Sequence, residues 1–238
     1  MPTQPRPAAL DAVMWDMDGT LVDTEPYWIR AEHDLVESYG GRWSDDLAHQ
    51  LVGNALLVSA QFIIEHSPVS LSPDEVVRRL IARVVEQVGA HVPWRPGAKA
   101  LLDDLAAHGV PCALVTMSWS PLTRAVLGNL PEGTFACVIS GDDVVNGKPD
   151  PEPYLAAATA LGVAPSRCVA LEDSATGVRS AVAAGYPTLA IPHTVPVPPI
   201  AGSVQLDSLV GLDTRALAAW AARARTPDGL AEKVSRGT

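Results

Sequence analysis

Two aspartates, Asp16 and Asp18, lie one residue apart at the end of the apolar segment DAVMWD (11–16), and Gly19 follows them. Carboxylates this close repel each other and resist burial unless a positive charge lies nearby. Mg²⁺ binds a few carboxylates and bridges them to a substrate phosphate. An aspartate can also attack phosphorus and form an aspartyl-phosphate, while a second acid protonates the leaving oxygen. The pair therefore indicates phosphoryl chemistry at a divalent metal ion.

Polar residues with compatible chemistry follow three further apolar segments. These residues are Thr116, Lys148, Glu172 and Asp173. Because ligands of open parallel sheets bind at the carboxyl ends of the strands, we expect these side chains to meet at one edge of a sheet. Mg²⁺ and the lysine would make this acidic edge attractive to a phosphate group. Thr116 and nearby backbone N–H groups are candidate phosphate ligands.

Short apolar segments alternate with helical patterns through most of the chain, which is typical of a parallel α/β sheet. Strands are predicted at 11–16, 111–117, 135–140, 167–173 and 187–192. Helices between and after them are predicted at 97–109, 120–129, 151–162, 174–185 and about 213–222. The predicted fold class is α/β, with a Rossmann-like parallel sheet as the core.

Residues 24–92 interrupt this alternation, because they contain helical patterns and no convincing strand. The clearest pattern covers 72–92, where Ser72 and Glu75 form a capping box and apolar residues recur at helical spacing. We interpret the segment as an all-helical cap domain inserted into the core. The predicted domains are the α/β core (10–23 and 93–222), the cap (24–92) and a flexible C-terminal tail (223–238).

The composition restricts the partners and the cellular setting. A net charge of −10 over 238 residues disfavours nucleic acid or an anionic membrane as a partner. No apolar run approaches the ~20 residues of a membrane-spanning helix, and the N-terminus lacks the apolar segment of a secretory signal. Cys112, Cys137 and Cys168 lack paired spacing and are expected to be free thiols. We therefore expect a cytoplasmic protein and take a monomer as the default, although no sequence feature decides the oligomeric state.

Four motifs, in this order and spacing, resemble those of the haloacid dehalogenase superfamily: DMDGT, TMS, GKPDPEP and LEDSATGV. The resemblance covers roughly residues 11–210 and is greatest to the β-phosphoglucomutase-like phosphatases, which carry a helical cap after the first motif. It implies that Asp16 is the nucleophile and that Asp18 is the general acid and base.

The resemblance also implies ligands for a metal ion and for a phosphate group. The implied ligands of Mg²⁺ are Asp16, the backbone carbonyl of Asp18, Asp173 and, directly or through water, Glu172. The implied phosphate ligands are Thr116 and Lys148, and the lysine would also steady Asp16. The chain departs from the family pattern at Met117, where the second motif commonly has asparagine. The backbone N–H of Met117 remains as a substrate contact, but a polar side-chain contact is lost.

The motif residues disfavour several related classes of protein. A calcium loop of the EF-hand type needs oxygen ligands at regular alternate positions and flanking helices, which the residues around Asp16 lack. The dehalogenases of the superfamily need no Mg²⁺ and generally lack the acid found here at Asp18. The ion-pumping relatives need membrane-spanning helices, and the sequence contains none.

The choice between a phosphatase and a mutase depends on the cap. The sugar-phosphate mutases of this branch carry a histidine about twelve residues after the nucleophile and a Lys-Gly-x-x-Arg pattern in the cap. The corresponding positions here are Trp28 and VGNAL (52–56). Because the positive charge that would hold a second phosphate is missing, hydrolysis is favoured. A mutase of the β-phosphoglucomutase type and a non-catalytic phosphate-binding protein are the alternatives.

The sequence thus predicts a Mg²⁺-dependent phosphatase that hydrolyses a small phosphomonoester, such as a sugar phosphate, through an aspartyl-phosphate. Glu25 and Asn54 are candidate substrate contacts from the cap, because the segments TEP and VGN fall where the cap should face the nucleophile. The cap is expected to close over the site during phosphoryl transfer and then to admit water. The expected partner is therefore a small phosphorylated metabolite.

Overall fold

The structure, a computed structural model, describes residues 10–51 and 54–224, and within them the strands follow the predicted alternation. The strands in these ranges are β1 (Val13–Trp15), β2 (Cys112–Val115), β3 (Cys137–Ile139), β4 (Val169–Glu172), β5 (Thr188–Ala190) and β6 (Ser203–Gln205). The first five lie inside the predicted strand segments. β6 was not predicted, because it is short and two of its three residues are polar.

The helices of the described residues also follow the predicted patterns. They are α1 (Glu25–Ser38), α2 (Asp45–His49), α3 (Leu56–His66), α4 (Pro73–Ala90), α5 (Ala98–Ala107), α6 (Ser120–Leu127), α7 (Glu152–Leu161), α8 (Ala175–Ala183) and α9 (Thr214–Ala224). α9 includes Arg223 and Ala224, which the sequence assigned to the flexible tail. The rest of the predicted tail, 225–238, lies outside the described residues.

The strands form one parallel sheet in the order β3-β2-β1-β4-β5-β6. Val13 of β1 pairs with Cys112 of β2 on one side and with Val169 of β4 on the other. The chain therefore extends the sheet in both directions from β1, which makes β1 the point where the strand order reverses. The residues that follow β1, β2 and β4 consequently meet at the carboxyl edge of the sheet. This topology confirms the predicted α/β fold with a Rossmann-like sheet.

The first of two compact units contains the sheet and comprises, among the described residues, 10–22, 94–117 and 132–224. Its core includes a cluster in which Met14, Tyr154 and Tyr186 are buried. The three cysteines are free thiols, as predicted. In the described part of the chain, no helix combines the length and the apolarity that crossing a lipid bilayer requires.

The second unit is helical and comprises Asp23–Pro93 together with Ser118–Pro131. Within it, α1, α3 and α6 pack against α4. The predicted apolar stripe of α4 is largely buried, because Val76, Val84 and Val88 have no exposed surface. The sequence analysis placed 120–129 in the core domain, whereas α6 belongs to this helical unit.

The capping box predicted at the start of α4 is only half formed. The hydroxyl of Ser72 accepts a hydrogen bond from the backbone N–H of Glu75 at 3.3 Å, as predicted. The Glu75 carboxylate instead pairs with the guanidinium groups of Arg78 and Arg79 one turn further on. The ion pairs with two arginines thus replace the hydrogen bond from the Ser72 backbone N–H that a full capping box would have.

The helical unit buries a carboxyl group that forms no ion pair with any described residue. Glu32 on α1 is 5% exposed, and the indole Nε1–H of the buried Trp43 donates to its Oε2 at 3.1 Å. Burial raises the pKa of Glu32 from 4.5 to about 8, although the indole N–H favours the ionised form, and the charge of Glu25 adds to the rise. Glu32 is therefore largely protonated in the folded protein near pH 7.

We expect Glu32→Gln to stabilise the protein at high pH. The folded-state pKa lies above the unfolded one, so the unfolded chain ionises first and the free energy of unfolding falls as the pH rises from about 4.5 to about 8. Glutamine still accepts from Trp43 and cannot ionise. The expected gain is on the order of 5 kcal/mol at pH 9 and close to zero at pH 4.

Urea unfolding of the wild type and the variant at pH 4 and pH 9 measures this difference. Glu132→Gln, which changes an exposed carboxylate, is the matched control and should leave both values unchanged. An equal effect of Glu32→Gln at the two pH values would contradict the prediction.

Candidate active site

A buried lysine connects the carboxylates at the ends of β1 and β4. The Nζ of Lys148 lies 2.7 Å from Oδ1 of Asp16 and 2.6 Å from Oε1 of Glu172, and it also donates to the carbonyl of Val115 at 2.8 Å. The Lys148 side chain is 4% exposed, and that of Glu172 is not exposed at all. Burial alone would favour the neutral amine, but the charges of Asp16 and Glu172 outweigh it and raise the pKa of Lys148. The lysine is therefore held as a cation between two acids.

Glu172 is held by further groups on both of its oxygens. Its Oε1 also accepts from the phenol of Tyr154 at 2.8 Å, and its Oε2 accepts from the hydroxyl of Ser174 at 3.3 Å. A Cβ at Gly177 would lie 2.0 Å from this carboxylate, so only glycine leaves room for it. Burial raises the pKa of Glu172 to about 7, although Lys148 lowers it. Sequence reasoning missed Tyr154 and Gly177, because both lie in helical patterns that predict only packing.

Asp18 and Thr116 meet at the same edge of the sheet. The Thr116 hydroxyl donates to Oδ2 of Asp18 at 3.3 Å. Asp18 forms an isolated bridge with Val22, and between them Gly19 takes a φ of +87°, a conformation that favours glycine. The chain therefore turns sharply after β1 and keeps the second aspartate near the first.

Three carboxylates form a cluster that fits a cation. One oxygen each of Asp16, Glu172 and Asp173 lie within 4.8 Å of one another. Oδ2 of Asp16 is buried and accepts no hydrogen bond from any described residue. Burial and the charges of Asp16 and Glu172 raise the pKa of Asp173 well above its ordinary value. One lysine does not neutralise three acids, and an uncompensated buried carboxylate is costly, so the oxygen donors suit a hard divalent cation.

Gly19 allows Asp173 to join this cluster. A Cβ at residue 19 would lie 2.0 Å from Oδ2 of Asp173. The glycine is thus required twice, once for its positive φ and once for the space that the carboxylate occupies.

The remaining predicted site residues are Met117, Glu25 and Asn54. Met117 follows Thr116 directly, and its Sδ accepts a hydrogen bond from the backbone N–H of Lys148 at 3.2 Å. Glu25 is the first residue of α1 and is half-buried. Asn54 is exposed, and its side chain donates to the carbonyl of Gln50 at 3.0 Å. The predicted substrate contacts of these three residues stay predictions, and residues 52–53 of the VGN segment lie outside the described residues.

A hydrolase family model and two proteins named as phosphatases are similar to this chain. Residues 10–185 match the model of the haloacid dehalogenase-like hydrolase family. The phosphorylated carbohydrates phosphatase of Thermotoga maritima is 32% identical over 177 residues, which are 74% of this chain and 82% of that protein. Hexitol phosphatase B of Escherichia coli is 32% identical over 189 residues, 78% of this chain and 85% of that protein.

A solved structure supports the same relationship. CbbY from Rhodobacter sphaeroides, crystallised in complex with phosphate, is 27% identical and superposes with a TM-score of 0.78. The match covers 88% of this chain and 99% of that one. Because the family model spans most of the chain and two relatives exceed 30% identity, the chain belongs to the haloacid dehalogenase-like hydrolase family, as its four motifs predict.

Proposed function

We propose that this chain is a Mg²⁺-dependent phosphatase that hydrolyses a small phosphomonoester through an aspartyl-phosphate at Asp16. The observation that carries the proposal is the state of Asp16, which has one oxygen held by Lys148 and a second oxygen that accepts no hydrogen bond from a described residue. Such a carboxylate is fixed in place and still has an oxygen free to react. Hydrolysis of phosphoric monoesters also agrees with the family and with the names of the relatives.

Each side chain at the edge of the sheet has its own role in the proposed reaction. Asp16 attacks phosphorus, and the bond from phosphorus to the ester oxygen breaks. Asp18 gives its proton to the leaving oxygen and then takes one from the water that hydrolyses the aspartyl-phosphate, which frees Asp16. The Thr116 hydroxyl holds the Asp18 carboxyl group in place. Lys148 donates to Asp16 and adds positive charge for the phosphate.

Mg²⁺ would be held by Asp16, Asp173 and the backbone carbonyl of Asp18. Both oxygens of Glu172 already accept hydrogen bonds, from Lys148 and Tyr154 and from Ser174, so its proposed contact with the ion is through water. When bound, the ion would neutralise charge on the phosphoryl oxygens and orient phosphorus toward Asp16. The unpartnered Oδ2 of Asp16 and the raised pKa of Asp173 support a cation at this place.

The proposed substrate is a phosphate ester of a sugar, a polyol or a related small metabolite. The names of the carbohydrate and hexitol phosphatases support this class. Residues 24–92 are proposed to act as the cap that selects the substrate, with Glu25 and Asn54 as contacts. A cytoplasmic location and a monomeric state belong to the same proposal. The mutase and the phosphate-binding alternatives are not favoured, because the Thermotoga maritima and Escherichia coli relatives are phosphatases by name and every acid of the motifs is present.

The wild type should release inorganic phosphate from at least one member of a panel of hexose, pentose and hexitol phosphates in MgCl₂, and release should stop in EDTA. Asp16→Asn should lower the rate about a thousandfold or more, because the amide cannot act as the nucleophile. Asp207→Asn, which changes an exposed carboxylate, is the matched control and should keep the wild-type rate.

Phosphate release at the wild-type rate in EDTA or by Asp16→Asn would contradict the proposal. Isomerisation of a hexose 1-phosphate in the presence of a trace of bisphosphate, without phosphate release, would support the mutase instead.

Gly19→Ala should weaken Mg²⁺ binding by about tenfold or more, because the new methyl group displaces Asp173. Gly133→Ala is the matched control: Gly133 has a φ of +78°, and a Cβ there would meet no atom within 4 Å. Both variants carry the backbone strain of a positive φ, about 1–2 kcal/mol, but only one disturbs the acidic cluster. Titration calorimetry with MgCl₂ measures the two affinities, and equal affinities would contradict the assignment of Asp173 as a ligand.

A further inference from the structure

The thioether of Met117 lies against the loop that carries Lys148. Met117 follows β2, and its Sδ accepts the backbone N–H of Lys148 at 3.2 Å, although the two residues are 31 positions apart. Lys148 is the residue that reaches Asp16 and Glu172. The side chain that replaces the family's usual asparagine therefore contacts the backbone of a residue in the proposed catalytic machinery.

Two glycines of the same loop leave room for Met117. A Cβ at Gly147 would lie 2.7 Å from the Met117 sulfur, and a Cβ at Gly141 would lie 2.2 Å from the Met117 carbonyl oxygen. Neither glycine has a positive φ, so backbone conformation does not explain them. Their missing side chains instead fit the space that the main chain and the sulfur of Met117 occupy.

We propose that Met117 is a positioning residue for Lys148. The sulfur is a weak hydrogen-bond acceptor, so the bond adds little stability. Its proposed effect is to fix the position of the loop that carries Lys148. The Nζ of Lys148 lies within 2.7 Å of two carboxylates, and a displacement of about 1 Å is enough to reduce catalysis strongly. The inference rests on the proposed phosphatase function and adds a role for the position at which this chain departs from the family pattern.

Met117→Leu keeps the approximate volume of the side chain and removes the acceptor. We expect it to lower kcat about tenfold, with the thermal midpoint and the Mg²⁺ affinity close to wild type. Met117→Gln supplies an amide oxygen at similar length and should recover most of the lost rate. Met14→Leu is the matched control, because Met14 is a buried methionine of the core outside the proposed site, and it should keep the wild-type kcat.

A second measurement does not depend on activity. The amide proton of Lys148, assigned by nuclear magnetic resonance, should shift in Met117→Leu and stay near its wild-type position in Met14→Leu. An unchanged Lys148 amide and a wild-type kcat in Met117→Leu would overturn the positioning role. If the wild type released no phosphate from any ester, the proposed function would fail, while the amide shift would still decide whether Met117 holds the loop.

Discussion

The contact between the Lys148 ammonium and two buried carboxylates is the interaction on which the site depends. The ends of β1 and β4 lie side by side in the sheet, so Asp16 and Glu172 must be close whatever the rest of the chain does. A single lysine from the loop before α7 reaches both of them. Removing this cation would leave two charges in a region with little water, where an unpaired ion is strongly destabilising. We therefore expect the lysine to stabilise the fold as well as to serve the proposed chemistry.

Glycines make this concentration of charge sterically possible. Gly19 leaves space for the Asp173 carboxylate, Gly177 for that of Glu172, and Gly147 for the sulfur next to Lys148. In each case another residue's side chain occupies the volume in which a Cβ would lie, from a separate loop for Gly19 and Gly147 and from the end of the preceding strand for Gly177. Only Gly19 also needs a positive φ. Close approach of side chains, more than backbone freedom, therefore explains these glycines.

Local patterns predicted the parts of the structure that depend on local interactions. Alternation of apolar strands and amphipathic helices is enough to predict β1 to β5 and the parallel sheet. The family motifs then place Asp16, Lys148 and Asp173 at one edge. β6 was missed because three partly polar residues carry too little periodicity, and it forms only because β5 offers a parallel partner. The packing of α6 with the helical unit depends on contacts with α4 that are remote in sequence.

Contacts between side chains distant in sequence were also beyond prediction. In the sequence pattern, Tyr154 is one more apolar position of α7, yet its phenol donates a hydrogen bond to Glu172. From the sequence, Met117 only removes the polar contact of the usual asparagine, yet its sulfur accepts a hydrogen bond from the backbone N–H of Lys148. Both contacts become visible only when the carboxyl ends of the strands bring separate loops together, because neither has a spacing in the sequence that reveals it.

Two buried glutamates indicate what the lysine does for the site. Glu32 has an indole N–H as its hydrogen-bond donor, and burial raises its pKa to about 8. Glu172 is more deeply buried, and burial raises its pKa as well, but the attraction of Lys148 opposes this rise. A neutral donor therefore leaves a buried acid largely protonated, whereas a cation offsets part of the cost of burial. The acids of the proposed site accordingly lie around Lys148, whereas Glu32, which accepts from a neutral indole, lies in the helical unit.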